Sequence, residues 1–113
     1  LLALYETTDF DAAIEAVRRD AQIAAVTRSE KGSVIVSGSD TFIAPAAPVE
    51  AVIDATGAGD QYAAGFLYGL THGQSLPDSA RLGHMCAGEV ISHIGPRPSV
   101  SLKDLALAQG FKL

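Results

Sequence analysis

The sequence has few cysteines, few basic side chains and no long apolar run, and each shortage excludes a class of protein. One cysteine in 113 residues allows neither an internal disulfide nor a zinc site built from several cysteines, and it favours the cytoplasm. Eight lysines and arginines against thirteen aspartates and glutamates leave a formal charge of −5. The basic residues are scattered, so we expect no nucleic acid and no membrane surface among the partners. No apolar run reaches the roughly 18–20 residues that span a bilayer.

What is present is the composition of an ordinary α/β domain. Hydrophobic residues make up 48% and charged residues 19% of the chain, which is typical of a packed globular protein. The length allows one domain with one core, or part of a larger domain. Because the apolar residues 1–4 open in the middle of a pattern, we expect a piece of a longer protein.

The spacing of apolar residues predicts alternating helices and strands. Residues 10–19 have helical spacing after a Thr-Asp cap, and residues 23–27 are predicted as a short, fully buried strand. A helix followed by an apolar strand is half of a βαβ unit, so we expect a three-layer, Rossmann-like α/β fold with a mainly parallel sheet. Two β-rich runs joined by a short Gly/Asp link predict a β-hairpin over residues 33–44.

The second half of the chain is predicted to be mostly helical. Residues 49–53 form a last, short strand candidate. An apolar helical face begins after Gln61, and Gly73 ends that helix. Ser75 caps a longer helix and Ser101 caps a short final one.

The loop before the first of these helices, residues 54–60, reads Asp-Ala-Thr-Gly-Ala-Gly-Asp. Gly57 and Gly59 permit a tight turn and let a ligand approach the backbone without a Cβ in the way. The helix that follows presents free N–H groups and the positive end of its dipole, which attract an anion. Asp60 lies in the first turn, where a carboxylate would repel a phosphate unless it had a role. The role that fits is a general base that deprotonates an attacking hydroxyl.

Simpler interpretations of this loop stay open at this point. An aspartate at a helix N-terminus is often only a cap, worth roughly 0.5–2 kcal/mol. The chain would then be a non-catalytic nucleotide-binding or oligomerisation module. The loop is not a P-loop, because no Gly-Lys-Ser/Thr follows it. A dinucleotide-dependent oxidoreductase is disfavoured, because no third glycine stands at the required offset after Gly59.

The loop and its flanks resemble the ribokinase-like (pfkB) carbohydrate kinases, a family that includes sugar kinases and adenosine kinases. Residues 52–60 resemble the C-terminal signature of that family. Residues 26–32 resemble its strand-turn segment, with Ser29 where glycine is usual. Residues 81–87 and 95–99 resemble its nucleotide-side helix and the turn after that helix.

The resemblance implies an ATP-dependent phosphotransferase that acts on a hydroxyl of a sugar or nucleoside. Asp60 would be the catalytic base, and the amides of Gly57, Ala58, Gly59 and Asp60 would form the anion hole for the transferring phosphoryl group. ATP would bind together with Mg²⁺. Adenosine is the favoured acceptor because residues 81–84 resemble the adenosine kinase branch. Ribose-like and fructose-like sugars stay open.

The resemblance also implies two binding sites and a place for the chain within a larger enzyme. The ATP contacts would be Thr27, Ser29, Gly32, His84, Ala87 and Gly88. The ligands of a monovalent cation such as K⁺ would be Asp54, Thr56, Gly95 and Ser99. For His84, packing in the core is an equally good interpretation. Residues 1–113 would form the C-terminal, ATP-binding part of such a kinase, without the N-terminal part and the substrate lid, and would be inactive alone. The oligomeric state stays open, with a homodimer as one alternative.

Overall fold

The structure, a computed structural model, describes residues 8–28, 31–47 and 52–111 of the chain. Four helices and three strands lie within these ranges. In chain order they are α1 (Phe10–Asp20), β1 (Ile23–Thr27), β2 (Ser33–Ser37), β3 (Asp40–Ala44), α2 (Ala58–Thr71), α3 (Leu76–Ile91) and α4 (Leu102–Ala108). Among the described residues, none of the helices combines the length and the apolar character that crossing a membrane requires.

The three strands form an antiparallel sheet in the order β1-β2-β3. The register places Ile23 opposite Ser37 in the first pair and Val34 opposite Ile43 in the second. The predicted hairpin over residues 33–44 is therefore confirmed. The prediction of a mainly parallel sheet is wrong for the described strands. β1 and β2 are joined by a short turn, whereas a parallel pair needs a crossover of a dozen or more residues.

The sheet lies between α1 on one face and α2 with α3 on the other. Along β2, Val34 and Val36 pack with Ile14 of α1. Ile35 belongs to the opposite face, because successive side chains of a strand alternate between the two sides. The cluster on that opposite face contains Ile35, Ala44, Tyr62, Phe66 and Ala80. The predicted three-layer α/β arrangement is thus confirmed.

Two strand predictions need correction. β1 is not fully buried, since Ile23 and Thr27 at its ends are exposed and the three residues between them are half-buried. β1 is an edge strand of the described sheet, so only one of its sides has a hydrogen-bonded neighbour there. The strand candidate at residues 49–53 lies partly outside the described residues, and Val52 and Ile53 are not in a strand.

Helices α2 and α3 pack closely because glycines lie at their contact. A Cβ added at Gly65 of α2 would stand 2.8 Å from the carbonyl oxygen of Leu82 in α3. A Cβ added at Gly83 of α3 would stand 2.8 Å from the ring of Tyr62 in α2. These positions have no room for a side chain, so the glycines set the distance between the two helices. These two packed helices support the loop that precedes α2.

Candidate functional site

The loop of residues 54–57 ends where α2 begins, and Gly57 determines its shape. Gly57 is the N-cap of α2 and has a φ of 81°, in the left-handed region that side chains disfavour. A Cβ at this position would also stand 2.8 Å from the Cβ of Pro96. Backbone conformation and a packed neighbour therefore both require glycine here.

The N-terminus of α2 differs from those of the other described helices. Asp9 caps α1 with its carboxylate, and Ser75 and Ser101 cap α3 and α4 with their hydroxyl groups. No side chain among the described residues caps α2. The amide groups of the first turn and the positive end of the helix dipole are the elements that bind anions at helix N-termini.

The four residues predicted for the anion hole differ in what they offer. The N–H of Ala58 donates to the carbonyl of Ala55 at 3.2 Å, so this amide is already engaged. A Cβ added at Gly59 would meet nothing within 4 Å, which leaves open space beside its backbone. Asp60 follows directly and is exposed. An exposed carboxylate can reach a bound ligand, which is one condition for a general base.

Asp54 ties this loop to the turn of residues 92–99, which we call the 92–99 turn. Its Oδ1 accepts hydrogen bonds from the N–H of Thr56 at 2.9 Å and from the Thr56 hydroxyl at 2.6 Å. Its Oδ2 accepts the N–H of Gly95 at 3.1 Å. The Thr56 hydroxyl and these two amides lower the pKa of Asp54 to about 2. Three of the residues predicted to bind a cation are thus brought together.

The fourth predicted cation ligand is held by a different carboxylate. Ser99 donates its N–H to Oε1 of Glu89 at 3.2 Å and its hydroxyl to Oε2 at 3.1 Å. The Ser99 hydroxyl therefore donates its hydrogen to Glu89, and its oxygen keeps lone pairs, so a contribution of Ser99 to the site around Asp54 stays a prediction. In the part of the chain that the structure describes, no three His, Cys, Asp or Glu side chains form a metal-binding group.

Glu89 is the functional candidate that the sequence analysis missed. Its side chain is only 8% exposed, and its Oε1 also accepts a hydrogen bond from Nε2 of His93 at 2.7 Å. Burial raises the pKa of Glu89, but the hydrogen bonds from His93 and Ser99 outweigh burial, so the pKa is lowered. The hydrogen bond to Glu89 raises the pKa of His93. The spacing of Glu89 and His93, four residues apart at the end of a helix, is the signal that could have revealed the pair.

The predicted nucleotide side begins at the turn between β1 and β2. The N–H of Arg28 donates to the carbonyl of Gly32 at 2.7 Å and closes this turn. Thr27 is exposed and Gly32 is buried. Gly32 has a φ of 88°, and a Cβ there would stand 2.0 Å from the carbonyl oxygen of Ala44. Ser29, the third predicted contact of this turn, lies outside the described residues.

His84 packs in the core, and its predicted contact with the nucleotide stays a prediction. It is 7% exposed, its Nε2 lies 2.8 Å from Oγ of Ser33, and its ring packs edge-on against Tyr62. The Tyr62 hydroxyl donates to the same Ser33 oxygen at 2.9 Å, so Ser33 joins Tyr62 and His84 in one buried hydrogen-bonded group. Burial lowers the pKa of His84, which favours the neutral imidazole. Gly88 is buried and Ala87 is half-buried on the same helix, and their contact with the nucleotide stays a prediction.

Comparison with known proteins identifies the family. The sequence model described as "pfkB family carbohydrate kinase" matches residues 2–103. The chain belongs to the pfkB family of carbohydrate kinases. The resemblance that residues 52–60 suggested is thereby confirmed, and so is the ribokinase-like fold class.

Several relatives within the pfkB family are similar over nearly the whole chain. A crystal structure of adenosine kinase from Sinorhizobium meliloti has 54% identity and a TM-score of 0.94, over 96% of this chain and 33% of that protein. A probable sugar kinase from Rhizobium etli has 49% identity and a TM-score of 0.94, over the same shares. Adenosine kinase from Saccharomyces cerevisiae is 32% identical over 94 residues, which are 79% of this chain and 28% of the yeast protein. The chain therefore spans about a third of the length of these pfkB proteins.

Proposed function

We propose that the chain is the C-terminal, ATP-binding part of a kinase that phosphorylates a hydroxyl of a nucleoside or sugar, with adenosine as the first candidate acceptor. Membership of the pfkB family supports phosphoryl transfer, and two of the relatives above are adenosine kinases. The observation that carries the proposal is the uncapped N-terminus of α2 with the exposed Asp60 in its first turn. The chain spans about a third of the length of the adenosine kinase from Sinorhizobium meliloti, so the activity of the whole protein is part of the proposal.

The proposed chemistry divides between one side chain and the backbone around it. Asp60 accepts the proton of the acceptor hydroxyl while that oxygen attacks the terminal phosphorus, and a positioned base contributes roughly 10²–10⁴-fold. The amides of Gly59 and Asp60 donate to the oxygens on which negative charge develops, and such donors contribute about 3 kcal/mol each. ATP would supply the phosphoryl group and leave as ADP when the bond between the terminal phosphorus and the bridging oxygen of the β-phosphate breaks, and Mg²⁺ would neutralise part of the charge.

The proposal includes a monovalent cation such as K⁺ beside the loop. The Asp54 carboxylate stays ionised at neutral pH because its pKa is about 2. It would hold the cation together with backbone carbonyls of Thr56 and Gly95, because oxygen donors suit hard cations. The cation would add positive field near the amides and stiffen the loop. Ser99 stays a predicted ligand, because a hydroxyl that donates its hydrogen to Glu89 keeps oxygen lone pairs for a cation.

A cytoplasmic location is part of the same proposal. Cys86 is free and buried, where it acts as a small apolar side chain. Burial raises the pKa of its thiol, which keeps it protonated and unreactive.

The substitution Asp60→Asn in the intact protein that carries this chain tests the proposal. Asparagine can still cap a helix but cannot accept the proton, so we expect kcat to fall about 10²–10⁴-fold while ATP binding is retained. ADP release with adenosine and with a panel of sugars measures turnover, and calorimetry measures ATP affinity. Asp78→Asn, in the first turn of α3, is the matched control and should leave both unchanged. Turnover of Asp60→Asn within twofold of wild type would show that Asp60 is not the base.

A further inference from the structure

Glu89 has a carboxylate that the proposed reaction does not use. Its side chain is 8% exposed, whereas the ion-paired carboxylates of Glu15 and Asp78 are 60% and 45% exposed. Burial of a carboxylate costs free energy because the charge loses its contact with water, unless hydrogen bonds and a charge partner offset that loss. Glu89 has three such hydrogen bonds, one from His93 and two from Ser99.

All three donors belong to the 92–99 turn. His93 lies near the start of this turn and donates to Oε1 of Glu89 at 2.7 Å. Ser99 lies at its end and donates its N–H at 3.2 Å and its hydroxyl at 3.1 Å. Both ends of the turn are therefore fastened to one carboxylate on the last helical residues of α3.

The middle of the same turn contacts the loop that precedes α2. The N–H of Gly95 donates to Oδ2 of Asp54 at 3.1 Å. Pro96 packs so close to Gly57 that a Cβ there would stand 2.8 Å away. The side-chain amide of Gln61 donates to the carbonyl of Pro96 at 3.4 Å. A displacement of the turn would therefore move the N-terminus of α2 and Asp60 on its first turn.

We propose that Glu89 is a positioning residue for phosphoryl transfer. By holding His93 and Ser99 it fixes the 92–99 turn, and the turn fixes the loop at Gly57 and the start of α2. This inference rests on the proposed function, because it assigns Glu89 a task for the site around Asp60. A misplacement of about 1 Å can cost roughly 100-fold in rate, so the effect belongs in kcat.

The test compares Glu89→Ala with the conservative Glu89→Gln in the intact protein. Glutamine keeps the shape and an oxygen that can accept a hydrogen bond from Ser99. We expect Glu89→Ala to lower kcat roughly 10–100-fold while the KM for ATP changes less than threefold. The kcat of Glu89→Gln should be at least about tenfold higher than the kcat of Glu89→Ala. Ser99 is exposed, and Ser99→Ala removes only the hydrogen bond from its hydroxyl to Glu89, one of the three. This variant should lower kcat a few-fold. Glu15→Ala, on α1, is the matched control and should behave as wild type.

The outcomes separate this inference from the proposed function. If Asp60→Asn abolishes turnover but Glu89→Ala keeps kcat within twofold, Glu89 has no positioning role and the proposed function stands. If Asp60→Asn has no effect, the proposed function fails whatever Glu89 does. If Glu89→Ala does not fold, Ser99→Ala decides, and wild-type kcat in that variant overturns the inference. An equal change of kcat and of the KM for ATP in Glu89→Ala would also reject it, because general loosening does not single out the transfer step.

Discussion

At the scale of single residues, Gly57 and Asp54 fix the candidate site. Gly57 adopts a φ of 81° against Pro96, and Asp54 receives hydrogen bonds from Thr56 and Gly95. The need for glycine at position 57 could be predicted, because a tight turn into a helix favours it. The bond between Asp54 and Gly95 joins residues 41 positions apart. No local pattern encodes such a contact, and no local pattern encodes the proposed positioning role of Glu89.

Replacing Gly57 with alanine should damage both stability and activity. The left-handed backbone costs about 1–2 kcal/mol for a residue with a Cβ, and contact with Pro96 must in addition push the loop away. Denaturant unfolding and ADP release measure the two effects in the intact protein. Gly38→Ala is the matched control: its φ is 60°, and a Cβ there meets nothing within 4 Å. It should lose similar stability and keep full activity, and equal activity of the two variants would contradict the role of Gly57.

Burial of His84 should make stability depend on pH. Its folded-state pKa lies below the model-peptide value of 6.5, so at lower pH the unfolded chain binds a proton that the folded chain resists. The contribution of neutral His84 to the free energy of unfolding is fully present above pH 6.5. It is lost as the pH falls from 6.5 toward the lowered pKa. From pH 7.5 to pH 5.0, the urea midpoint of unfolding should fall more in the wild-type protein than in His84→Gln. His72→Gln, on an exposed histidine, should keep the wild-type decline, and a parallel decline in His84→Gln would contradict this assignment.

At the scale of elements, the site depends on helix ends and on the contact between α2 and α3. The starts of α3 and α4 could be predicted from Ser75 and Ser101, because a serine hydroxyl satisfies a first-turn amide. The hairpin could also be predicted from its short turn. The direction of β1 relative to β2 could not be read from the helix that precedes β1, since local periodicity does not encode strand pairing. The short turn at Gly32 was the better indicator.

The contact between α2 and α3 predicts the sign of a substitution. In an exposed helix, Gly→Ala stabilises by about 1 kcal/mol. At Gly65 a Cβ would stand 2.8 Å from the backbone of Leu82, so we expect Gly65→Ala to destabilise by roughly 1–3 kcal/mol despite the better helix propensity. Denaturant unfolding measures the difference. Ala63→Ser, on an exposed position of α2, should change stability by less than about 0.5 kcal/mol. A gain in stability for Gly65→Ala would contradict the packing.

At the scale of the whole molecule, segments far apart in the chain meet at one place. The loop of residues 54–57 and the 92–99 turn lie together at the ends of α2 and α3, on the opposite side of the sheet from α1. The family could be predicted from the motif around Gly57, and the match over residues 2–103 confirms it. The periodicity of apolar residues predicts three layers, but it does not predict that these two segments meet. It does not predict the acceptor either, because the chain spans about a third of the length of its relatives.

A crystal structure of the intact protein with adenosine, ADP, Mg²⁺ and aluminium fluoride, which mimics a phosphoryl group in transfer, tests the central claim most directly. The account predicts the fluoride at about 2.7–3.1 Å from the amides of Gly59 and Asp60, with the Asp60 carboxylate facing the acceptor hydroxyl. A fluoride bound away from the N-terminus of α2, or an Asp60 carboxylate turned away from it, would contradict the account.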